Sequence, residues 1–304
     1  MGIRITAQMT SNLMLTNMNK NLSNIYNTYE QITSGKKFTS IGENPSDGTK
    51  IMKYNKQLDQ LDDWSKNIET AKDELNQSYD TLGLIQENMQ RINELAIQAA
   101  NSYNSQDSMQ AIRDEVEQRT RAIAQLANTK YQDKYIFSGS NTDTIPYSLD
   151  DDLNVTYSGT SQDGNWERNI EISEGVTMPL NINGQEIFGD ENGGIFATLK
   201  QLNDALADPD MDIQAISDCI TPIQNGIKDI TSAQAVMTSR VQRLDATSSI
   251  NDNVSLGLTE MKSNIEDTDL AEAATQLMMY QTALQASLQA GATIMQQATL
   301  LNYI

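Results

Sequence analysis

The chain of 304 residues contains no histidine and a single cysteine, Cys219. Without histidine it lacks the commonest general acid–base group and the commonest zinc ligand. A lone cysteine excludes both an intramolecular disulfide and a thiolate metal cluster. Aromatic residues make up 6% and hydrophobic residues 38%, lean for a compact enzyme. No apolar run is long enough to span a bilayer as a helix, so no membrane association is expected. The start, Met1 to Met9, has no apolar stretch of signal-peptide length, so no cleaved signal peptide is expected. Basic residues are also scarce. Lysine and arginine number 21 against 41 aspartates and glutamates, giving a formal charge of −20. That balance argues against a nucleic-acid binder, which needs clustered basic side chains to neutralise phosphates.

Charge is also missing locally. Residues 5–19 carry none, and neither does any residue from Ala273 to Ile304. Acidity concentrates in between, most densely over residues 141–272. Both neutral ends are helical in pattern. Near the start, Leu15, Met18, Leu22, Ile25, Tyr29 and Ile32 recur in steps of three and four, a heptad seam stopped by Ser34-Gly35. Near the end, Leu270, Ala274, Leu277, Gln281, Leu284, Leu288, Gly291, Met295 and Ala298 follow the same rhythm after an N-cap in Asp267-Thr268-Asp269. The faces opposite this second seam hold Gln276, Thr282, Gln285, Ser287 and Gln289 where a solvated helix would carry Lys and Glu. Such ends either pack only on each other or, as the absence of charge favours, pack against several neighbours in an assembly and are disordered until they do so.

The middle predicts three further helices. One places Trp64, Ile68, Ala71, Leu75, Tyr79, Leu82, Ile85, Met89, Ile92, Ala96 and Ala99 on its inner face and breaks near Asn101 to Ser105. A second carries Met109, Ile112, Val116, Ile123 and Leu126. A third begins around Met211 and runs through Ile213, Ile216, Ile220, Ile223, Ile227, Ile230, Met237, Val241 and Leu244. Pro222 is expected to kink or restart it, with Thr221 as cap. Residues 141–198 read as a small acidic β insert, with strands at 154–157, 167–172, 176–182 and 185–188. Asn183-Gly184 is expected to be the tight turn of a hairpin between the last two.

The fold class is therefore mainly α: a long antiparallel helical rod built from both chain ends, a terminal coiled coil and a small β-rich insert. The expected divisions are 1–45 with 262–304 for the coiled coil, 46–140 with 199–261 for the helical rod, and 141–198 for the insert. No enzyme constellation emerges. Gly42 to Gly48 with Thr49-Lys50 has the wrong spacing and order for a phosphate loop. Asp208 to Asp212 lacks the glycine and the final acid of a calcium loop and reads as a helix entry. Asp150 to Asp152 reads as a solvated turn, and Cys219 as a small core residue. No catalytic, cofactor or metal residue is assigned.

Leu22-Ser23-Asn24 and Tyr29 to Lys37 resemble the N-terminal region shared by flagellins and their relatives. Ser263 to Glu272 resembles the segment that opens the flagellin C-terminal helix, and Gln281 to Ala292 with Met295 to Leu301 the remainder of it. Ser239 to Leu244 is similar to the arginine-bearing stretch before it. Glu43 to Gly48 departs from the filament protein at the corresponding place. Tyr135 to Tyr147 is similar to a signature of the hook-associated protein 3 family, which forms a layer of the hook–filament junction.

The resemblance implies a non-enzymatic structural adaptor of the bacterial flagellum, exported without a cleaved signal and located outside the cell. The partners it implies are hook-associated protein 1, flagellin, copies of the chain itself in a ring, and a flagellar export chaperone. It implies that the terminal helices pair around the axis, and the residues expected at the assembly interface are Leu15, Met18, Leu22, Ile25, Ile32, Leu277, Leu284, Leu288, Met295 and Leu301. Two alternatives stand beside it: a minor flagellin of the filament, and a soluble coiled-coil interaction protein. The uncharged ends disfavour the second, which would carry charged flanking positions throughout.

Overall fold

The computed structural model describes residues 7–101, 105–159, 166–190, 193–208 and 212–300, with side chains described from Met9 to Thr293 apart from Thr10. In chain order the elements are α1 (Ala7–Ser34), α2 (Pro45–Ala99), α3 (Gln106–Ala127), β1 (Lys130–Tyr131), β2 (Lys134–Tyr135), β3 (Tyr147–Leu149), β4 (Val155–Tyr157), β5 (Asn169–Ser173), β6 (Val176–Pro179), α4 (Gly184–Phe188), α5 (Ile195–Ala207), α6 (Ile213–Glu266) and α7 (Leu270–Leu300). Contacts divide the chain into two units, residues 1–60 with 253–304 (unit 1) and residues 61–252 (unit 2). Helices α2 and α6 contribute residues to both.

Unit 2 holds the hydrophobic core. On α2, Ile68, Leu75, Leu82, Met89 and Ala96 are buried at intervals of seven, as are Ala71, Ser78, Ile85, Ile92 and Ala99. Those two rows are the a and d positions of a heptad, which keeps one seam facing a partner helix. On α6 the row is Ile216, Ile223, Ile230, Met237 and Leu244, again seven apart and fully buried. Charged residues such as Asp62, Asp63 and Lys66 occupy the exposed positions between, so the phase of the seam is written twice. Helix α3 buries Met109, Ile112, Val116 and Ile123 and packs beside α5. Ser105 caps α3 by accepting the Ser108 amide at 3.3 Å.

The β structure consists of three two-stranded antiparallel hairpins rather than one sheet. Gln132 and Asp133 both adopt positive φ in the β1–β2 turn, the geometry a two-residue hairpin needs. Asn128, at the end of α3, holds β3 at both of its backbone groups on Tyr147. Its Oδ1 accepts the Tyr147 amide at 2.9 Å and its Nδ2 donates to the Tyr147 carbonyl at 2.7 Å. The β5–β6 hairpin is tied to the two long helices by Asn67, which donates to the Glu171 carbonyl at 3.0 Å, and by Asn251, which donates to that of Ile172 at 3.0 Å. Arg168 adds an ion pair to the buried carboxylate of Glu74. An aromatic cluster closes this part of the core. Phe188 stands edge-on to Phe137 at 5.2 Å and to Tyr147 at 5.8 Å, and Tyr147 lies 5.0 Å from Phe196. Burial pushes the Tyr147 hydroxyl well above its ordinary pKa, so it stays protonated.

Three local expectations are corrected. Asn183-Gly184 is not a hairpin turn, and residues 185–188 are not a strand. The Asn183 side chain accepts the Gln185 amide at 3.0 Å and caps the short helix α4. Glycine is required at 184 because a Cβ there would stand 2.6 Å from the Phe137 carbonyl oxygen, to which its own amide donates. Pro222 does not restart α6, which is continuous through it. The ring forfeits one helical hydrogen bond, and the buried Ile216, Ile223 and Ile230 hold the helix together across the gap. Helix α5, with Ile195, Phe196, Leu199, Leu202 and Leu206 buried, begins at Ile195, within the residues expected to belong to the β insert. Residues 209–211, 301–304 and the middle of the expected break at 101–105 lie outside the described residues. Asp212 does act as a helix entry, accepting the amides of Gln214 and Ala215.

One surface network has a measurable pH signature. The Arg91 guanidinium, 2.9 Å from Glu115, with Arg119 at 3.0 Å, holds the Glu115 carboxyl below its usual range. A lowered folded pKa stabilises the fold above the ordinary carboxylate range, and this contribution is lost as pH falls through the folded value. Glu115→Gln should therefore cost under about 1 kcal/mol at neutral pH. Thermal melts of the two proteins should converge as the pH is lowered below the carboxylate range. A gap that persists in acid would mean the pair contributes through packing instead.

Candidate assembly surface

Unit 1 is organised around an antiparallel pair, α1 with α7. Gly35 and Thr268 mark one end, where the Thr268 amide donates to the Gly35 carbonyl at 2.9 Å. Met14 and Gly291 mark the other. A Cβ on Gly291 would meet the Met14 side chain, so that residue's missing side chain makes room for the thioether. Among the less exposed positions of α1, Met14, Met18, Asn21, Ile25, Thr28 and Ile32 form one row, flanked by Asn24 and Gln31. On α7 the row is Ala273, Leu277, Tyr280, Leu284, Ser287 and Gly291, flanked by Gln276. Both rows alternate in steps of four and three, so each is a heptad seam turned to its partner.

The expected single seam is thereby resolved into two faces. Met18, Ile25, Ile32, Leu277 and Leu284 sit half-buried in the pair. Leu15, Leu22 and Leu288 do not lie in it, being 54%, 37% and 50% exposed. Ser287, expected on the outer face, belongs to the inner one. The Met295 side chain and Leu301 lie outside the described residues. Leu15 and Leu22 join the exposed Tyr26 and Tyr29 in a second stripe on α1, roughly a quarter-turn from the seam. On α7 the matching stripe is Leu270, Ala274, Met278, Gln281 and Leu288, all exposed. Lys20 and Glu30 are the only charged residues of α1, and Glu272 is the only one of α7.

Hydroxyl groups on both helices bond to their own backbone. Thr16 donates to the Asn12 carbonyl at 2.9 Å, Thr28 to that of Asn24 at 2.8 Å and Thr33 to that of Tyr29 at 2.8 Å. On α7, Thr275, Thr282 and Ser287 do the same to the carbonyls four residues back, each at 2.8 Å.

The connections at the base of the pair are built from the motifs the sequence showed. Gly35 takes φ +73°, the left-handed conformation that ends α1, and its amide donates to the Gln31 carbonyl at 2.9 Å. A Cβ at 35 would meet nothing, so Gly35→Ala should cost only the backbone strain, about 1 kcal/mol in a urea titration. A loss several times larger would mean that the turn is packed. Asp269 caps α7, its Oδ1 accepting the Ala271 amide at 2.9 Å and that of Glu272 at 3.1 Å. Asn44 caps α2 by accepting the Asp47 amide at 3.3 Å, and Asp47 returns a contact to the Asn44 amide group. The buried Glu266 carboxylate pairs with Lys36 and lifts the lysine above its ordinary pKa, while Lys262 lies 3.7 Å away. Lys37 donates from its backbone to the Glu266 carbonyl at 2.7 Å and from Nζ to that of Asn264 at 2.7 Å.

Among the described residues no three histidine, cysteine, aspartate or glutamate side chains gather as a metal site would require. Cys219 is buried, its Sγ donates to the Ala215 carbonyl at 3.3 Å, and burial raises its pKa. Among the described residues no helix is long and apolar enough to cross a membrane.

Paired terminal helices, each with a second uncharged stripe left outward, define a helical-pair architecture. Similarity to known proteins gives that architecture a family. The bacterial flagellin N-terminal helical region matches residues 5–142, and the bacterial flagellin C-terminal helical region matches residues 220–304. Together these two matches take in well over half of the chain and both its ends. The chain belongs to the flagellin family.

Phase 1 flagellin of Salmonella naestved is 27% identical over 156 residues, half of this chain and 30% of that one. The match thus spans less than a third of the length of such relatives. Among solved structures, FlgL of Bacillus cereus superposes with a TM-score of 0.57 at 23% identity, covering 70% of this chain and 99% of that one. The flagellar junction protein FlgL of Legionella pneumophila superposes with a TM-score of 0.59 at 15% identity, covering 71% and 100%. At those identities the likeness concerns the fold.

Proposed function

We propose that the chain is a structural, non-catalytic component of the bacterial flagellum that forms the junction layer between hook and filament. The observation that carries self-assembly is the uncharged outward stripe on each of α1 and α7, which the helix pair leaves open to water. Exposed apolar area without interspersed charge marks a surface meant for burial. The choice of junction over filament draws on the solved neighbours. The chain covers a solved junction protein over its whole length, but only 30% of the flagellin it matches. In this reading residues 1–45 and 262–304 are the self-association region, 46–140 and 199–261 its helical support, and 141–198 an acidic insert facing the medium. In the same reading the chain is exported with the help of a chaperone and meets hook-associated protein 1, flagellin and its own copies in a ring.

Seeded assembly followed by electron microscopy tests the proposal. Purified chain is added to isolated hook ends with and without hook-associated protein 1, and flagellin is supplied afterwards. Growth that stops after one layer, depends on the first junction protein and then accepts flagellin is the expected result. Long homopolymers would instead make the chain a minor flagellin. A stable soluble dimer that ignores hook ends would make it a coiled-coil interaction protein.

A further inference from the structure

Methionine exposure follows the division into units. Among the described side chains, Met89, Met109, Met178 and Met237 are buried, and all four belong to unit 2. Met9, Met52, Met261, Met278 and Met279 are all exposed, and all five belong to unit 1. Met278 and Met279 are adjacent in sequence and the most open, at 61% and 63%. They stand on α7 within the stretch from Ala273 onward that contains no charged side chain. Met278 lies on the outward stripe with Gln281 and Leu288. The sole thiol offers no competition, since Cys219 is 1% exposed.

We propose that Met278 and Met279 form an oxidation site for two-electron oxidants of the peroxide and hypochlorous acid class, and that their conversion to sulfoxides suppresses self-association. With hydrogen peroxide, the thioether sulfur attacks one peroxide oxygen. An S–O bond forms, the O–O bond breaks and sulfur gives up two electrons. The leaving hydroxide takes the proton from the transferred oxygen and departs as water. The product replaces a soft apolar side chain with a strong hydrogen-bond acceptor. Burying that acceptor against the largely apolar stripe of another copy strips its hydration, which weakens the contact. Oxidation acts on the free subunit, and assembly protects it. The second half of this inference rests on the self-assembly reading, while the site itself does not.

The test treats full-length chain with graded hydrogen peroxide. It reads sulfoxide at each methionine by peptide mass spectrometry, then seeded assembly of each sample relative to its own untreated control. Expected are oxidation of Met278 and Met279 well ahead of the four buried methionines and assembly reduced roughly tenfold or more. Methionine sulfoxide reductases of both stereospecificities should restore it. The variant carrying Met278→Leu and Met279→Leu, a swap of similar volume, should lose far less of its own assembly on treatment. Oxidation of the buried methionines no later than Met278 and Met279, undiminished assembly of oxidised chain, or an equal loss in the double variant would each overturn the proposal. If untreated chain does not assemble, the junction reading falls, and the peptide map alone decides the site.

Discussion

Leu288→Asp should leave the free chain's helix content and melting curve unchanged yet reduce its self-association by about a hundredfold or more. Leu288 is half exposed and stands outside the α1–α7 seam, so a carboxylate there remains hydrated while the subunit is alone. Covering it with another copy strips that hydration without supplying a cation, because α7 beyond Ala273 and most of α1 carry none. An unpaired charge buried in this way costs several kcal/mol, and each 1.4 kcal/mol is a factor of about ten in affinity. Leu284→Asp is the informative companion. Leu284 is half-buried in the seam, so the same substitution should loosen the helix pair in the monomer and lower its melting temperature before assembly is asked for. Sedimentation velocity and circular dichroism on both variants separate the two faces. If Leu288→Asp assembles normally, the outward stripe is not the contact surface.

Phe188→Ala should cost about 3–5 kcal/mol in urea unfolding, a large share of the whole stability of an ordinary domain. Its ring is fully buried and stands within 6.2 Å of three other aromatic rings, which cannot all close on the cavity together. The side chain also lies one residue before Gly189, whose carbonyl accepts the Tyr147 hydroxyl at 3.3 Å, so collapse would break a buried hydrogen bond. A cost below about 1 kcal/mol would mean that the neighbouring rings repack freely, and that the cluster does not anchor the hairpins.

How much of the fold and of the assembly surface is legible in the sequence depends on where the charges stand. Along α2, acidic and basic residues mark the outer positions, and the expected inner row from Ile68 to Ala99 is buried except at Tyr79, which is 43% exposed while Ser78 takes its place in the seam. Along α1 and α7 no charge fixes the phase. Two apolar rows, one through Met14 and Asn21 and one through Leu15 and Leu22, fit a heptad equally well. The sequence pattern merges them, and only the partner helix separates inner from outer. Helix ends are legible because their chemistry is local: Gly35, Asp212 and Asp269 act where they stand. Asn183-Gly184 misleads because its local preference for a turn gives way to the Phe137 carbonyl, a contact forty-odd residues away in sequence. The short α5 follows the Gly193-Gly194 pair, a signal that reads as a loop and gives no hint of five buried side chains after it.

The hydroxyls of α1 and α7 have a further consequence. Each serine or threonine that donates to a carbonyl four residues back has already spent its proton inside its own helix. Removing those hydroxyls from water leaves none of them searching for a partner, and so avoids the usual penalty for enclosing polar groups. The terminal helices thus combine solubility before assembly with a low dehydration cost during it, a compromise familiar from segments that must leave water without becoming greasy. Replacing those threonines by valine would keep the shape while making the free subunit stickier. Replacing them by asparagine would keep the polarity while restoring unsatisfied donors at the moment of docking.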